Sequence, residues 1–136
     1  MIYLDASALV KLIAPEPESA ALSEWMLARS EHARATSAMS RPEVLRTLRA
    51  AGPAAEDLAS IVLGKIEQLP VDDLALDAAA AIRLQVDPLQ ALHLGTAVSR
   101  SEQLHAYVSY EPVLLAAAAD AGLPTASPGS SLVAEQ

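Results

Sequence analysis

The chain has 136 residues, a length typical of one domain with its own apolar core. It contains no cysteine, which excludes disulfide scaffolds, thiolate zinc sites and thiol catalysis. A net charge of −8 and an aromatic content of 3% argue against a basic nucleic-acid coat and against an aromatic stacking platform. The composition does not exclude an acidic enzyme that binds a divalent cation.

The apolar content is high for a chain of this class, with a mean hydropathy of +0.28. The longest apolar run, residues 113–119, is far shorter than the roughly 18–20 residues of a membrane-spanning helix. No basic segment precedes Asp5, so we expect no signal peptide, no membrane association and a cytoplasmic location. The apolar content suggests that a partner covers part of the surface.

The first half of the chain alternates short strands with helices. Residues 1–5 form a short apolar run that ends in Asp5, a pattern typical of a buried strand. A helix over residues 8–14 follows, with Asp5 or Ser7 as its N-cap. The other elements predicted here are a helix over 18–30, a strand over 35–38, a helix over 41–51 and a helix over 54–63.

The second half continues the alternation. Asp87 and Pro88 give the strongest helix start in the chain, an N-cap acid followed by proline at the first helical position. The predicted elements are a strand over 68–71, helices over 74–84, 88–100 and 114–121, and strands over 105–110 and 123–126. This order predicts an α/β fold, a three-layer α/β/α sandwich with a short, mainly parallel sheet. We expect one domain over residues 1–129 and a frayed tail over 130–136.

Three acids lie at positions that favour a site. Asp5 and Glu111 each follow a predicted strand, and Glu43 lies near the start of a helix. In parallel sheets the working site lies at the carboxyl ends of the strands. Carboxylates gathered there repel one another, and Mg²⁺ or Mn²⁺ is the usual compensation. The simpler alternative is that Asp5 caps its helix, while Glu43 and Glu111 add negative charge at helix N-termini.

These acids belong to six longer stretches that are distributed along nearly the whole chain and occur in the same order as in one known protein family. The stretches are residues 1–12 (MIYLDASALVKL), 36–38 (TSA), 41–46 (RPEVLR), 89–97 (LQALHLGTA), 107–111 (YVSYE) and 121–129 (AGLPTASPG). Together they resemble the PIN-domain ribonucleases of the VapC toxin type. The resemblance implies a divalent-metal-dependent endoribonuclease, the toxin of a toxin–antitoxin pair. It further implies a homodimer with RNA as substrate and a small antitoxin protein as partner.

The resemblance also assigns roles to particular residues. Asp5 and Glu43 would be metal-binding carboxylates, Ser7 and Ser109 supporting hydroxyls, and Glu111 would occupy a catalytic position usually held by Asp.

Gln90 departs from the family pattern, which has a metal-binding Asp at that position. Glutamine offers one neutral carbonyl oxygen, so we expect weaker metal binding. Asp87 lies one helical turn earlier and could serve as a metal ligand in its place, or it could simply be the N-cap. The alternative function is therefore a degenerate PIN domain that binds an antitoxin or RNA without cleaving it.

Other residues permit two interpretations each. His93 lies on an apolar helix face and is more typical of a packed structural histidine than of a ligand or base. Arg41 and Arg46 flank Glu43 and could contact RNA phosphates, although a solvated helix face explains them equally well.

A phosphate-accepting receiver or a haloacid-dehalogenase-type phosphatase is a weaker alternative function. Those families need a second acid near Asp5, and this chain has a serine at position 7 instead.

Overall fold

The computed structural model describes residues 1–130. Its centre is a sheet of five parallel strands in the order β3-β2-β1-β4-β5. The strands are β1 (Ile2–Leu4), β2 (Arg34–Ser37), β3 (Glu67–Leu69), β4 (Ala106–Val108) and β5 (Thr125–Ala126). The three central strands, β2, β1 and β4, are short and almost completely buried, which is typical of a parallel sheet covered on both faces, whereas the edge strand β3 exposes Glu67 and Gln68.

Seven α-helices and one 3-10 turn connect the strands within residues 1–130. The helices are α1 (Ala6–Ile13), α2 (Ser19–Leu27), α3 (Ser40–Arg49), α4 (Pro53–Leu63), α5 (Asp73–Ala80), α6 (Pro88–Val98) and α7 (Pro112–Asp120), and the turn is Ser101–Gln103. Asp5 is the N-cap of α1, since its side chain accepts a hydrogen bond from the backbone N–H of Ala8. Gly122, with φ +84°, follows α7 in the left-handed conformation that ends many helices.

Alternation along the strands divides the apolar core in two. Ile2 and Leu4 of β1 pack with the buried side chains of α1, α2, α3 and α4. Tyr3, which points to the opposite face, packs with Tyr107 and with α6 and α7. The sheet is therefore a middle layer between helices, as the sequence predicts.

The position of α6 is fixed by an unusually close contact with α5. A Cβ atom built on Gly95 of α6 would lie 2.3 Å from the backbone oxygen of Ala75 and 2.6 Å from the backbone nitrogen of Ala79. Only glycine permits the two helix backbones to approach this closely. The N-terminal half of α6 is thereby held over the carboxyl end of the sheet.

Each predicted strand and helix within residues 1–130 is present, but several ends differ. The helix predicted over 18–30 ends at Leu27, and the one predicted over 74–84 ends at Ala80. The strand predicted over 105–110 is shorter, Ala106–Val108, and the Tyr110 backbone N–H donates instead to Ser7 of α1. Apart from Ser130, the tail predicted over residues 130–136 lies outside the described residues.

Within residues 1–130, every helix is too short or too polar to cross a membrane.

Candidate active site

A small acidic cleft opens where the strand order reverses, between the carboxyl ends of β1 and β4. Neighbouring parallel strands whose connections run in opposite directions leave such a crevice, and ligands bind there in open α/β sheets. The cleft has a volume of about 110 Å³. Its lining residues are Asp5, Ala6, Ser7, Glu43, Asp87, Leu89, Gln90, His93, Glu111 and Leu114.

Asp5 lies at the bottom of the cleft and is only 1% exposed. One carboxylate oxygen, Oδ1, accepts hydrogen bonds from Ser7 Oγ at 2.6 Å and from the Ala8 backbone N–H at 3.0 Å. The other, Oδ2, accepts from Ser109 Oγ at 2.5 Å. Burial raises the pKa of the Asp5 carboxyl above its ordinary value, although these hydrogen bonds oppose the shift. Both predicted supporting hydroxyls therefore contact the predicted carboxylate directly.

Glu43 reaches the cleft from the first turn of α3. Its Oε1 lies 2.7 Å from Nε2 of His93, a residue of α6. His93 is 3% exposed, and its Nδ1 lies 2.8 Å from the hydroxyl of Tyr3. The sequence predicts that His93 is packed, and it is, but its contact with Glu43 was not predicted. No spacing in the sequence points to that contact, because it joins residues 50 positions apart on two different helices.

Asp87 and Gln90 hold each other at the start of α6. The Asp87 carboxylate accepts from the Gln90 backbone N–H at 2.8 Å, and Gln90 Oε1 accepts from the Asp87 backbone N–H at 3.0 Å. This reciprocal pair is a capping box, which confirms that Asp87 is the N-cap. Both side chains also line the cleft, so the cap forms part of its rim.

Glu111 occupies the N-cap position of α7 without a side-chain capping bond, and it lies at the exposed rim. Partial burial raises the pKa of its carboxyl, and the negative charges of Asp5, Glu43 and Asp87 raise it further. The acids predicted to gather at this edge are thus close enough to repel one another.

Two arginines of α3 lie outside this cleft. Both Arg41 and Arg46 are exposed, and Arg46 lines a neighbouring surface cleft of about 420 Å³ together with Glu43 and Leu89. Arg46 is thus the better placed of the two for a polyanion that approaches Glu43.

The chemistry of the cleft fits a hard divalent cation. Four carboxylates line it and no lysine or arginine does, so its charge is uncompensated among the lining residues. Within residues 1–130, however, no three histidine or acidic side chains converge as a ready-made metal cage. Mg²⁺ commonly retains several waters and binds through one or two carboxylates, an arrangement that needs no such cage. Asp5 and Glu43 line the cleft and could supply these carboxylates.

Comparison with known proteins identifies the family. The PIN-domain model matches residues 2–108, most of the chain and all of the sheet except β5. The chain belongs to the PIN-domain family. This confirms the resemblance and the fold class predicted from the sequence, and it sets aside the receiver and phosphatase alternatives.

Several curated relatives match this PIN domain over nearly its whole length. Ribonuclease VapC47 of Mycobacterium tuberculosis (strain CDC 1551 / Oshkosh) is 35% identical, covering 96% of this chain and 98% of the relative. Ribonuclease VapC46 of strain ATCC 25618 / H37Rv is 36% identical, covering 93% and 97%. Ribonuclease VapC35, also of Mycobacterium tuberculosis, is 37% identical, covering 96% and 99%. No solved structure gave a significant match.

Proposed function

We propose that this PIN domain is a divalent-metal-dependent endoribonuclease of the VapC type and acts as the toxin of a toxin–antitoxin pair. The curated relatives named as VapC ribonucleases support the reaction class. The observation that carries the proposal is the cleft at the β1–β4 crevice, where buried Asp5 and half-buried Glu43 face a carboxylate-lined space. Such a space repels RNA phosphate unless a cation is bound in it.

Several polar side chains in and beside the cleft have a part in this proposal. Asp5 and Glu43 hold the cation, Asp87 is a further candidate ligand at the rim, and Ser7 and Ser109 fix the orientation of Asp5. When bound, Mg²⁺ or Mn²⁺ lowers the pKa of the attacking water and stabilises charge on the phosphodiester.

The remaining predicted residues bear on substrate and water. Glu111 has a raised pKa and lies at the rim, where it can accept a proton from water directed at the phosphorus atom. Gln90 occupies the usual position of a metal-binding Asp but contributes only a neutral oxygen that is already bonded to Asp87. Arg46, which shares a surface cleft with Glu43, and the exposed Arg41 on the same helix would contact phosphates of the RNA.

The test is cleavage of total cellular RNA by purified, antitoxin-free protein with Mn²⁺, with and without EDTA. We expect cleavage that EDTA abolishes and that Asp5→Asn reduces on the order of 10²-fold or more. Asp57→Asn makes the same chemical change on the exposed face of α4 and should leave the rate unchanged. Cleavage by the Asp5 variant at the parent rate would contradict the assignment.

The same experiment separates the nuclease from the alternative of a binding module. A parent protein that binds RNA but does not cleave it, and that gains cleavage when Gln90 becomes Asp, would be a degenerate PIN domain. Growth arrest on expression that disappears with Asp5→Asn would favour the toxin.

The proposal extends to partners and location. A small antitoxin protein would neutralise the enzyme, which would act as a homodimer in the cytoplasm, where its RNA substrates are found. Exposed apolar side chains, among them Leu27, Ile61 and Leu74, supply surface for such contacts. Light scattering on the purified chain tests the dimer, and rescue of growth by the co-expressed antitoxin tests the partner.

A further inference from the structure

A continuous chain of buried hydrogen bonds joins the central strand to the cleft. Tyr3 on β1 is fully buried, and its hydroxyl lies 2.8 Å from Nδ1 of His93 on α6. Nε2 of the same imidazole lies 2.7 Å from Oε1 of Glu43 on α3. Three residues far apart in sequence thus connect one strand and two helices at the point where the cleft opens.

The direction of these hydrogen bonds follows from the donors and acceptors available. An ionised Glu43 can only accept, so Nε2 of His93 must carry a hydrogen. In the neutral ring Nδ1 is then an acceptor, and the Tyr3 O–H is its donor.

The contact with His93 constrains Glu43. Oε1 is held against the imidazole, so Oε2 is the oxygen available to a cation in the cleft. We infer that His93 is a positioning residue: with its tautomer set by Tyr3, it orients the Glu43 carboxylate for the divalent cation. This inference rests on the proposed function, since it assigns a role to a neighbour of a metal-binding carboxylate. Hydrogen-bonded partners of metal ligands commonly change metal affinity 10–100-fold when they are mutated.

Packing alone does not explain the Tyr3–His93 contact, as the neighbouring tyrosine shows. Tyr107 is equally buried and stacks on Tyr3, with ring centroids 5.1 Å apart and ring planes 6° apart. Within the described residues its hydroxyl has no hydrogen-bond partner. A tyrosine can therefore fill this core without a polar contact, which makes Tyr107 the matched control for Tyr3.

The first experiment measures Mn²⁺ affinity by calorimetry in the absence of RNA. We expect His93→Asn, whose shorter amide cannot reach Glu43, to weaken binding about tenfold, and His93→Gln, whose amide can replace Nε2 as donor, to stay within about threefold of the parent. Tyr3→Phe should weaken binding about threefold, and Tyr107→Phe should not change it.

Cleavage kinetics provide a second readout. The Mn²⁺ concentration for half-maximal cleavage should rise by the same factors, while the rate at saturating Mn²⁺ stays near that of the parent. A purely structural histidine would instead lower the amount of folded protein, which thermal melting detects, without changing the metal affinity of the folded fraction.

Nitrogen NMR tests the tautomer directly in metal-free protein. The chain has only three histidines, so assignment is simple. We expect His93 as the Nε2–H tautomer in the parent and in Tyr107→Phe, with mixed tautomers in Tyr3→Phe. An Nδ1–H tautomer in the parent would overturn the inference.

The outcomes separate the inference from the function on which it rests. If the parent binds and cleaves with Mn²⁺, and His93→Asn and Tyr3→Phe bind the metal as tightly as the parent does, the inference is wrong and the nuclease stands. If the parent neither binds Mn²⁺ nor cleaves RNA, both are wrong.

Discussion

The two walls of the cleft are built on different principles. The strand wall consists of Asp5, Ser7 and Ser109, where a buried carboxylate has a hydroxyl donor on each oxygen. The helix wall consists of Asp87 and Gln90, which lie at the rim and are bonded to each other. The strand wall is fixed in one geometry by burial, whereas the helix wall can exchange its mutual bonds for water or a ligand at little cost. We therefore expect chemistry that needs a fixed charge to depend on the strand wall, and side-chain conformation and residue type to vary more readily on the helix wall.

The sharpest test of the strand wall is Asp5→Asn, which should change activity and stability in opposite directions. Because burial raises the pKa of Asp5 in the folded protein, the native state retains this proton at pH values where the unfolded chain has released it. The free energy of unfolding therefore falls as the pH rises from 3.8 through the raised native value, and it stays lower above that value. Asparagine has no ionisable carboxyl, so Asp5→Asn does not lose this part of the free energy of unfolding as the pH rises.

In EDTA at pH 7 the asparagine variant should therefore melt at a higher temperature than the parent, although its cleavage falls on the order of 10²-fold. Melting curves between pH 3 and 7 check the slope. A variant that is less stable than the parent at neutral pH would show that the two serines stabilise the ionised carboxylate more than burial penalises it.

Ser109→Ala removes one of the two side-chain donors from Asp5 and should destabilise the fold by about 2 kcal/mol, since a hydrogen bond to a buried charge is lost. Urea unfolding measures the loss. Ser127→Ala is the matched control: that hydroxyl is also buried but has no hydrogen-bond partner among residues 1–130. Equal effects of the two substitutions would mean that the strand wall does not depend on this bond.

Gln90→Asp tests whether the helix wall lacks a ligand. An added carboxylate in the first turn of α6 should tighten Mn²⁺ binding about tenfold and raise cleavage at limiting metal, because it supplies the charge that glutamine lacks. Calorimetry and initial rates check both effects. Gln103→Asp adds the same charge near the amino ends of the strands, where the Gln103 backbone oxygen accepts from the N-terminus of Met1, and it should change neither the affinity nor the rate. An unchanged affinity would place the cation away from α6.

The smallest expected effect is that of Asp87→Ala, which should cost about 1 kcal/mol of stability through loss of the helix cap. Cleavage per folded molecule should change little if Asp87 only caps α6. Asp72→Ala removes the equivalent N-cap of α5, which accepts from the Ala75 backbone N–H, and it calibrates the cost of a lost cap. A larger loss of Mn²⁺ affinity in the Asp87 variant alone would make this residue a metal ligand.

Local patterns in the sequence predict most of the fold. The apolar run before Asp5 and the cap-and-proline signal at Asp87 depend on neighbouring residues, so strand β1 and helix α6 begin and end close to their predicted positions. Helix ends without such signals, as at Leu27 and Ala80, depend on where the chain must turn toward the next strand, which is a tertiary constraint.

Less of the site than of the fold can be predicted from the sequence. Asp5, Glu43 and Glu111 could be named because they follow strands or begin helices, positions that the sequence shows. The Glu43–His93 and His93–Tyr3 contacts join residues 50 and 90 positions apart, and no local pattern specifies such pairs. The capping box of Gln90 depends on its side-chain rotamer, which the residue type alone does not determine.

The bond between Ser109 and Asp5 has a consequence for synthesis of the protein. It spans 104 residues, and β4 must insert beside β1 before it can form. Chains are made at about 5–20 residues per second, so Asp5 leaves the ribosome several seconds before its partner exists. A nascent chain that stops short of β4 carries Asp5 and Glu43 but lacks the edge of the crevice that β4 provides. Prematurely terminated chains would therefore lack the complete cleft on which the proposed cleavage depends.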